Sequence, residues 1–563
     1  MSASVALSND PNWWRQASVY QIYPRSFADG NGDGIGDLRG IISRIPYLQE
    51  LGVDAIWLSP FYTSPQKDAG YDVADYRDVD PRFGTIVDFE EMVSKCRSVG
   101  IRTIVDLVPN HSSEEHPWFQ QALKAGRGSA ERARYHFRDG LPDGSPPADW
   151  DCSIGGCAWH PAGDGQYYFG LFGPFQPDLN WGNNEVREDF IQTIRFWADK
   201  GVAGFRVDVA PCLEKYLPEH LPSNEVISAA ARRLRQNGCP PDIHPFTDRN
   251  GVFEIYKSWR KVFNEYDPPL MGVAEAWVAQ DRIPLYADAN GLGQSFSFDL
   301  LLREFDRAQY KDAIETSLKM AKLAGSSTTW VLSNHDMIRH ATRYGFPKVS
   351  GEWTNPTHFD EPCEEYLGSR GNMPGFDPVL GLKRARAASL FMLGLPGSAY
   401  IYQGEELGLP EIVDIAPEHR QCPVFKQTKG KRLGRDGCRV PLPWVHSEPG
   451  FGFGGKPWIP QPDRMGTMSV DLEEKDPRST LSLYRRALTL RRELQSPEEE
   501  LEWIGENSRT LHYSRSENWE VIVNFSEVEI DMPPGKVLIT SSDCPDGRLG
   551  PTTTAWLSKS ASS

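Results

Sequence analysis

No apolar run in the chain is both long and unbroken. The most hydrophobic stretch, around Ala387 to Tyr402, is interrupted by Gly394, Pro396 and Gly397, which excludes a membrane-spanning helix there. The first ten residues lack the basic stretch and following apolar run of a secretory leader, so the protein is expected in the cytoplasm. The cysteine count is odd, nine, which argues against a full disulfide framework. Cys152 and Cys157 are near enough in sequence to pair, but in a reducing compartment they are read as thiols. No CxxC or Cys/His cluster suggests zinc. Positive charge is also short: the net charge is −17, and such a chain repels phosphate backbones. Nucleic acid and membranes are therefore not expected partners, and no organic cofactor is indicated. A neutral or polar small substrate suits the charge better.

Aromatic residues are plentiful, with 17 Trp, 20 Tyr and 26 Phe. They serve a large core, and they also suit sugar binding, because apolar sugar faces stack on rings. Three short apolar runs end on a carboxylate: Gly204–Asp208, Met271–Glu275 and Val331–Asp336. The acids are 67 and 61 residues apart, each gap long enough for a strand, a helix and their loops. Acids at the C-terminal ends of parallel strands are how a barrel enzyme builds its site, and carboxylates facing one pocket are what glycoside hydrolysis needs.

Eight β-like runs alternate with helical patterns: Val19–Tyr23, Ala55–Leu58, Thr103–Leu107, Gly204–Asp208, Met271–Glu275, Ser295–Phe298, Trp330–Asn334 and Ala399–Tyr402. This predicts an α/β chain with a (β/α)8 TIM barrel. The segment after the third strand is too long for a βα connection and reads as an inserted small domain. Long segments after strands four and eight, Val209 to about Val252 and Glu405 to Trp444, would wall a pocket. After a helix near Leu481–Glu493 the pattern alternates, which predicts a C-terminal β-sandwich domain. The expected division is 1–107 and 181–495 for the barrel, 108–180 for the insertion and 496–563 for the β domain. Ser558–Ser563 are expected to fray.

Five motifs in order resemble the α-amylase family of glycoside hydrolases, in its α-glucosidase and oligo-1,6-glucosidase branch: Asp106–His111, Gln176–Asn180, Gly204–Asp208, Val273–Glu275 and Ser333–Asp336. The resemblance implies a retaining mechanism with Asp208 as nucleophile, Glu275 as general acid/base and Asp336 stabilising the distorted sugar. Arg206, two residues before Asp208 on the same strand face, would keep it ionised and aimed. Trp277 and Asp208 are expected to raise the pKa of Glu275. His111 and His335 resemble the histidines that bond the same sugar, and Phe172 is a candidate pocket wall. Asp106 is expected to support the site without reacting. Asp68 and Tyr71 resemble the pair that closes over a terminal glucose. Arg439 matches the arginine that pairs with Asp68 across the pocket, which implies exo-action.

Asp29, Asn31, Asp33, Ile35 and Asp37 put oxygens at alternate positions with Gly between most of them, as a calcium loop does. An EF-hand would need Glu where Gly40 stands. The family resemblance implies a structural Ca2+ held by those four side chains and the Ile35 carbonyl. Two departures bear on specificity. The insertion reads Cys152-Ser153-Ile154-Gly155-Gly156 where the family often has Phe. Val209 leans to α-1,6 bonds, whereas the surrounding motifs resemble plain α-glucosidases, so maltose-like α-1,4 substrates or sucrose are favoured and α-1,6 bonds stay open. The rivals are a transglucosylase or sucrose isomerase, a phosphorylated-disaccharide hydrolase and, remotely, a non-catalytic amylase-like transporter subunit.

Overall fold

The computed structural model describes residues 7, 9–348, 360–496, 500–516 and 518–558. Most of the segment read for a leader, and the 559–563 end expected to fray, lie outside those residues. Among the described residues no helix is long and apolar enough to cross a membrane.

Eight parallel strands form one sheet: β1 (Ser18–Ile22), β2 (Ala55–Leu58), β3 (Arg102–Leu107), β4 (Gly204–Val207), β5 (Met271–Ala274), β6 (Gly293–Ser295), β7 (Thr329–Val331) and β8 (Ser398–Tyr402). β1 pairs with both β2 and β8, and a Ser297–Trp330 bridge joins the two edges, so the sheet curls into a (β/α)8 barrel. Every residue of these strands is buried, which is why they read as apolar runs without alternation. Val19, Trp57, Ile104, Val273, Phe296 and Tyr400 belong to one core cluster drawn from around the barrel.

The sixth strand differs from expectation. It starts at Gly293, and Phe298 opens a short helix. Gly293 pairs with Gly272, and Gln294 spends its amide on the Ser327 and Ser398 hydroxyls. A strand built from glycine and a buried amide carries no apolar signal.

Helices pack outside by their apolar stripes. Asn184–Asp199 starts at the Asn183 cap and buries Val186, Phe190, Ile194 and Trp197, one face of a 3.6-residue period. Between β3 and β4, Phe137–Asp139, Gln166–Phe169 and Trp159–Pro161 form a three-stranded antiparallel sheet. Its core holds Trp150, Trp159 and Phe169 and extends to Ile227 and Phe246, so the segment after β4 packs on the insertion above the barrel mouth.

At the C-terminal end, β9 (Glu502–Trp503), β10 (Thr510–Ser516), β11 (Trp519–Asn524), β12 (Lys536–Thr540) and β13 (Thr553–Ser558) make an antiparallel sheet in the order β9-β10-β11-β13-β12. A two-stranded ribbon, Ile530–Asp531 with Arg548–Leu549, packs against it through Leu549 and Ile522. The sheet also docks on the helix Pro378–Gly394. Tyr513, Trp556 and Arg515 donate to the carbonyls of Phe391, Leu390 and Gly394 in the last turn and a half of that helix, where Phe391 and Gly394 have no intrahelical donor. Cys152 and Cys157 are not joined in a disulfide.

Candidate active site

The first two acids stand just past their strands: Asp208 after β4 and Glu275 after β5. Arg206 points to the same side as Asp208, as a two-residue strand spacing requires. Its Nη1 donates to Asp208 Oδ1 at 2.7 Å and to Asp106 Oδ1 at 2.8 Å. Its Nη2 bonds Glu275 Oε2. One guanidinium therefore bridges the expected nucleophile, the expected acid/base and the supporting Asp106. Glu275 Oε2 also accepts from Val209 N at 3.2 Å, and Oε1 accepts from Trp277 Nε1 at 3.1 Å. Val209 takes a left-handed conformation, φ 36°, costly for a β-branched residue and placed beside the nucleophile.

Burial pushes the Asp208 carboxyl well up. Arg206 opposes this, while Glu275 and Asp106 add to it. Burial likewise pushes Asp106 up to about 7, against Arg206 and with Glu275. Three acids share one cation, and at Asp208 and Asp106 burial outweighs it.

Behind this group runs a hydrogen-bonded chain. Gln21 Nε2 donates to His335 Nδ1 at 2.8 Å, so Nε2 of His335 carries the ring proton toward Tyr71 OH at 2.6 Å, and Tyr71 donates to Asp106 Oδ2 at 3.1 Å. Burial lowers His335 to about 3, so it works as a neutral ring. Tyr71 stacks on it, ring centroids 5.4 Å apart.

The opposite side of the pocket corrects one expectation. The arginine that reaches Asp68 is Arg435, not Arg439. Arg435 Nη2 bonds Asp68 Oδ1 at 2.9 Å and its Nη1 bonds Asp336 Oδ1 at 2.8 Å. Arg439 Nη2 bonds the same Asp336 oxygen at 2.7 Å, and its Nε bonds the His335 carbonyl at 2.8 Å. Arg439 closes the single-turn 3-10 helix Asp436–Arg439 and Arg435 is its cap, so the two side chains are offset by one turn and only Arg435 extends across. Burial raises Asp336, but the Arg435 and Arg439 guanidiniums outweigh it and hold the carboxyl well below the usual range.

His111 lies in the pocket wall. Phe172 packs on its ring at 5.3 Å, and its Nε2 is 3.2 Å from the Tyr71 carbonyl. A cavity of ≈ 380 Å³ adjoins Asp68, Asp336 and Arg435, with Ile154, Phe172, Met337, Ile338 and Leu433 in its walls. Sequence reasoning missed Lys215, whose charged end is fully buried. Its Nζ donates to Asn110 Oδ1 at 2.7 Å, Cys212 O at 2.6 Å and Asp178 Oδ2 at 2.9 Å, tying together the segments after β3, in the insertion and after β4. No signal in sequence marks it: it stands seven residues past the nucleophile, outside any periodic pattern.

The Asp29–Asp37 loop is folded by its own acids. Asp29 accepts from the N–H groups of Asn31, Gly32, Gly34 and Gly455, and Asp37 caps the next helix through Gly40 N. Among the described residues no three acidic, His or Cys side chains converge on one point as a metal cluster. The donor chemistry nonetheless fits a hard divalent ion: the set is all oxygen, and Asn31 and the Ile35 carbonyl would complete it. Burial raises Asp37, and repulsion from Asp29 and Asp33 adds to that, an imbalance that a cation would relieve.

The model of the alpha-amylase catalytic domain matches residues 21–353 and 374–499. A "Probable alpha-glucosidase" of Rhizobium meliloti (strain 1021) is 34% identical, over 92% of this chain and 90% of the relative. An "Oligo-1,6-glucosidase" of Parageobacillus thermoglucosidasius is 33% identical, over 92% and 91%. Among solved structures, that of an alpha-glucosyl transfer enzyme superposes with a TM-score of 0.79 at 31% identity, over 98% of this chain and 100% of that one.

Proposed function

The chain belongs to the alpha-amylase family, and from that premise we propose that it is a retaining, exo-acting α-glucosidase. It releases glucose from the non-reducing end of short α-glucosides, with maltose-like α-1,4 bonds or sucrose favoured and α-1,6 bonds open. The observation that carries this reading is the shape of the charge. Asp208 and Glu275 sit on the two ends of one guanidinium, while Arg435 joins Asp68 to Asp336 beside a cavity of ≈ 380 Å³.

Asp208 attacks the anomeric carbon as Glu275 gives its proton to the departing oxygen, forming a covalent glucosyl-enzyme. Glu275, now ionised, takes a proton from water, which attacks the same carbon and frees Asp208. Asp336 and His111 hold ring hydroxyls, and the neutral His335 orients Tyr71 beneath the sugar.

The test is product analysis with maltose, isomaltose, sucrose, trehalose and p-nitrophenyl α-glucoside. Free glucose in full yield supports hydrolysis and identifies the bond; no turnover of any of them overturns it. New di- or trisaccharides would favour transglucosylation or sucrose isomerisation, the second reading, which the kinship with an alpha-glucosyl transfer enzyme and the apolar walls around Ile154 support.

Two further parts of the proposal concern surroundings. The Asp29, Asn31, Asp33, Ile35 and Asp37 oxygens hold a structural Ca2+ that supplies no reaction step. Chelation should then lower Tm more than initial rate; an unchanged Tm with no metal by elemental analysis refutes it. A cytoplasmic location is supported by the buried thiols of Cys96, Cys152, Cys212, Cys422 and Cys438, which form no disulfide.

A further inference from the structure

Trp458 stands between two parts of the molecule that the reaction does not obviously connect. On one side is the Asp29–Asp37 loop. The segment Phe453–Trp458 is laced to it by three hydrogen bonds: Asp29 N to Phe453 O at 2.8 Å, Gly455 N to Asp29 Oδ2 at 2.8 Å, and Trp458 N to Gly34 O at 3.0 Å. The backbones meet so closely that a β-carbon at Gly34 would collide with the Lys456 carbonyl, and one at Gly455 with the Gly32 carbonyl. Gly34 also takes φ +92°, open to glycine and strained for other residues. Loop and segment therefore move together or not at all.

On the other side is the sugar-recognising acid. Trp458 Nε1 donates to Ser26 Oγ at 3.1 Å, and the fully buried Ser26 passes its own hydroxyl proton to the Arg439 carbonyl. Arg439 then grips Asp336 Oδ1 at 2.7 Å and the His335 carbonyl at 2.8 Å. The face of the Trp458 ring carries Arg25, 4.2 Å away, whose Nη2 donates to Gln421 Oε1 at 2.9 Å; Gln421 N in turn donates to Asp436 Oδ2, three residues before Arg439. Two short polar routes thus leave one indole and converge on the same turn.

We propose that Trp458 is a positioning residue that couples the Asp29–Asp37 loop to the Arg439–Asp336 pair, so that the order of the loop sets how tightly the terminal sugar is held. The inference rests on Asp336 recognising that sugar. It assigns the loop a part in substrate binding as well as in stability. The hydrogen-bonded route through Ser26 is discrete, so removing one of its links should weaken the coupling without touching either end.

Ser26→Ala and Trp458→Phe each remove one link and leave every group that touches sugar in place. Expected for both is a rise in KM for p-nitrophenyl α-glucoside of about fivefold, with kcat within about twofold of the parent. Calorimetric Kd for 1-deoxynojirimycin should weaken in parallel. The double variant should be no worse than the stronger single one, because both cut one route. Asp33→Ala, in the middle of the loop beside Gly34, should raise KM in the parent but less in Trp458→Phe. A lower Tm with KM and Kd unchanged in both single variants overturns the proposal and leaves Trp458 as packing. Additive losses in the double variant overturn it too. A parent enzyme that neither cleaves the glucoside nor binds the iminosugar would instead refute the α-glucosidase reading, a result distinct from either.

Discussion

Two arginine-centred groups differ in their ratio of charge. Around Asp208 one cation, Arg206, serves three acids, Asp106, Asp208 and Glu275. Around Asp336 two cations serve two acids: Arg435 and Arg439 both bond one oxygen of Asp336, and Arg435 also bonds Asp68. Burial alone would raise the carboxyls of Asp106, Asp208 and Asp336. It prevails at Asp106 and Asp208, which share one cation, and loses at Asp336, where two cations meet one carboxyl oxygen. The number of partners, more than depth, decides at which of these carboxyls burial prevails. Lys215 with Asp178 is a balanced pair, one cation to one anion, and neither is near the reacting bond by role.

The largest expected effect breaks the cation-poor group. Asp208→Ala should lower kcat by about a thousandfold or more if Asp208 is the nucleophile, with folding checked by circular dichroism. Near-normal turnover would end that assignment. Next comes the balanced pair. Lys215→Met keeps length and loses charge, leaving Asp178 buried without its cation. It should destabilise the fold by about 3 to 5 kcal/mol, read from denaturant midpoints. A loss under about 1 kcal/mol would mean water or another donor replaces the lysine.

How far such an arrangement can be read in sequence depends on the element that carries it. The two acids after β4 and β5 were legible because a buried parallel strand is an apolar run, and a carboxylate directly after it stands at the barrel mouth. The order of strands and the C-terminal sheet followed from the same periodicities. Arg435 and Arg439 were not separable: both lie in one tight turn, and which of them spans the pocket depends on where that turn sits relative to Asp68, a long-range fact. β6 was displaced because glycine and a buried amide replace apolar residues there. Lys215 was silent because a buried charge looks like a surface one until its three oxygens are placed around it.

The Asp336 side yields a smaller effect that tests the correction. Arg435→Ala should raise KM for maltose or p-nitrophenyl α-glucoside by about tenfold, since it removes charged hydrogen bonds to both Asp68 and Asp336. The fall in kcat should be lesser, because Arg439 still holds Asp336. If Arg439→Ala weakens binding through Asp68 while Arg435→Ala does not, the pairing drawn here is wrong.

The smallest effect lies in the pH dependence of stability, and it distinguishes the two groups by sign. Asp106 is raised to about 7, above its unfolded value near 3.9. Between about pH 4 and about pH 7 the folded state therefore binds a proton that the unfolded state has lost, and stability falls as pH rises through that window. Asp336 is depressed, so its contribution is present above its unfolded value and is lost only as pH falls toward its lower folded one, below that window. Asp106→Asn keeps a hydrogen-bonding side chain beside Arg206 and Tyr71 but cannot titrate. Its Tm should fall less steeply than the parent's between pH 4 and pH 7, by on the order of a degree or two per pH unit. Asp336→Asn should leave the slope in that window unchanged. Buried histidines with lowered pKa values push the parent's slope the other way, so the difference between variant and parent is the readout, and equal slopes would show that Asp106 does not titrate in the window.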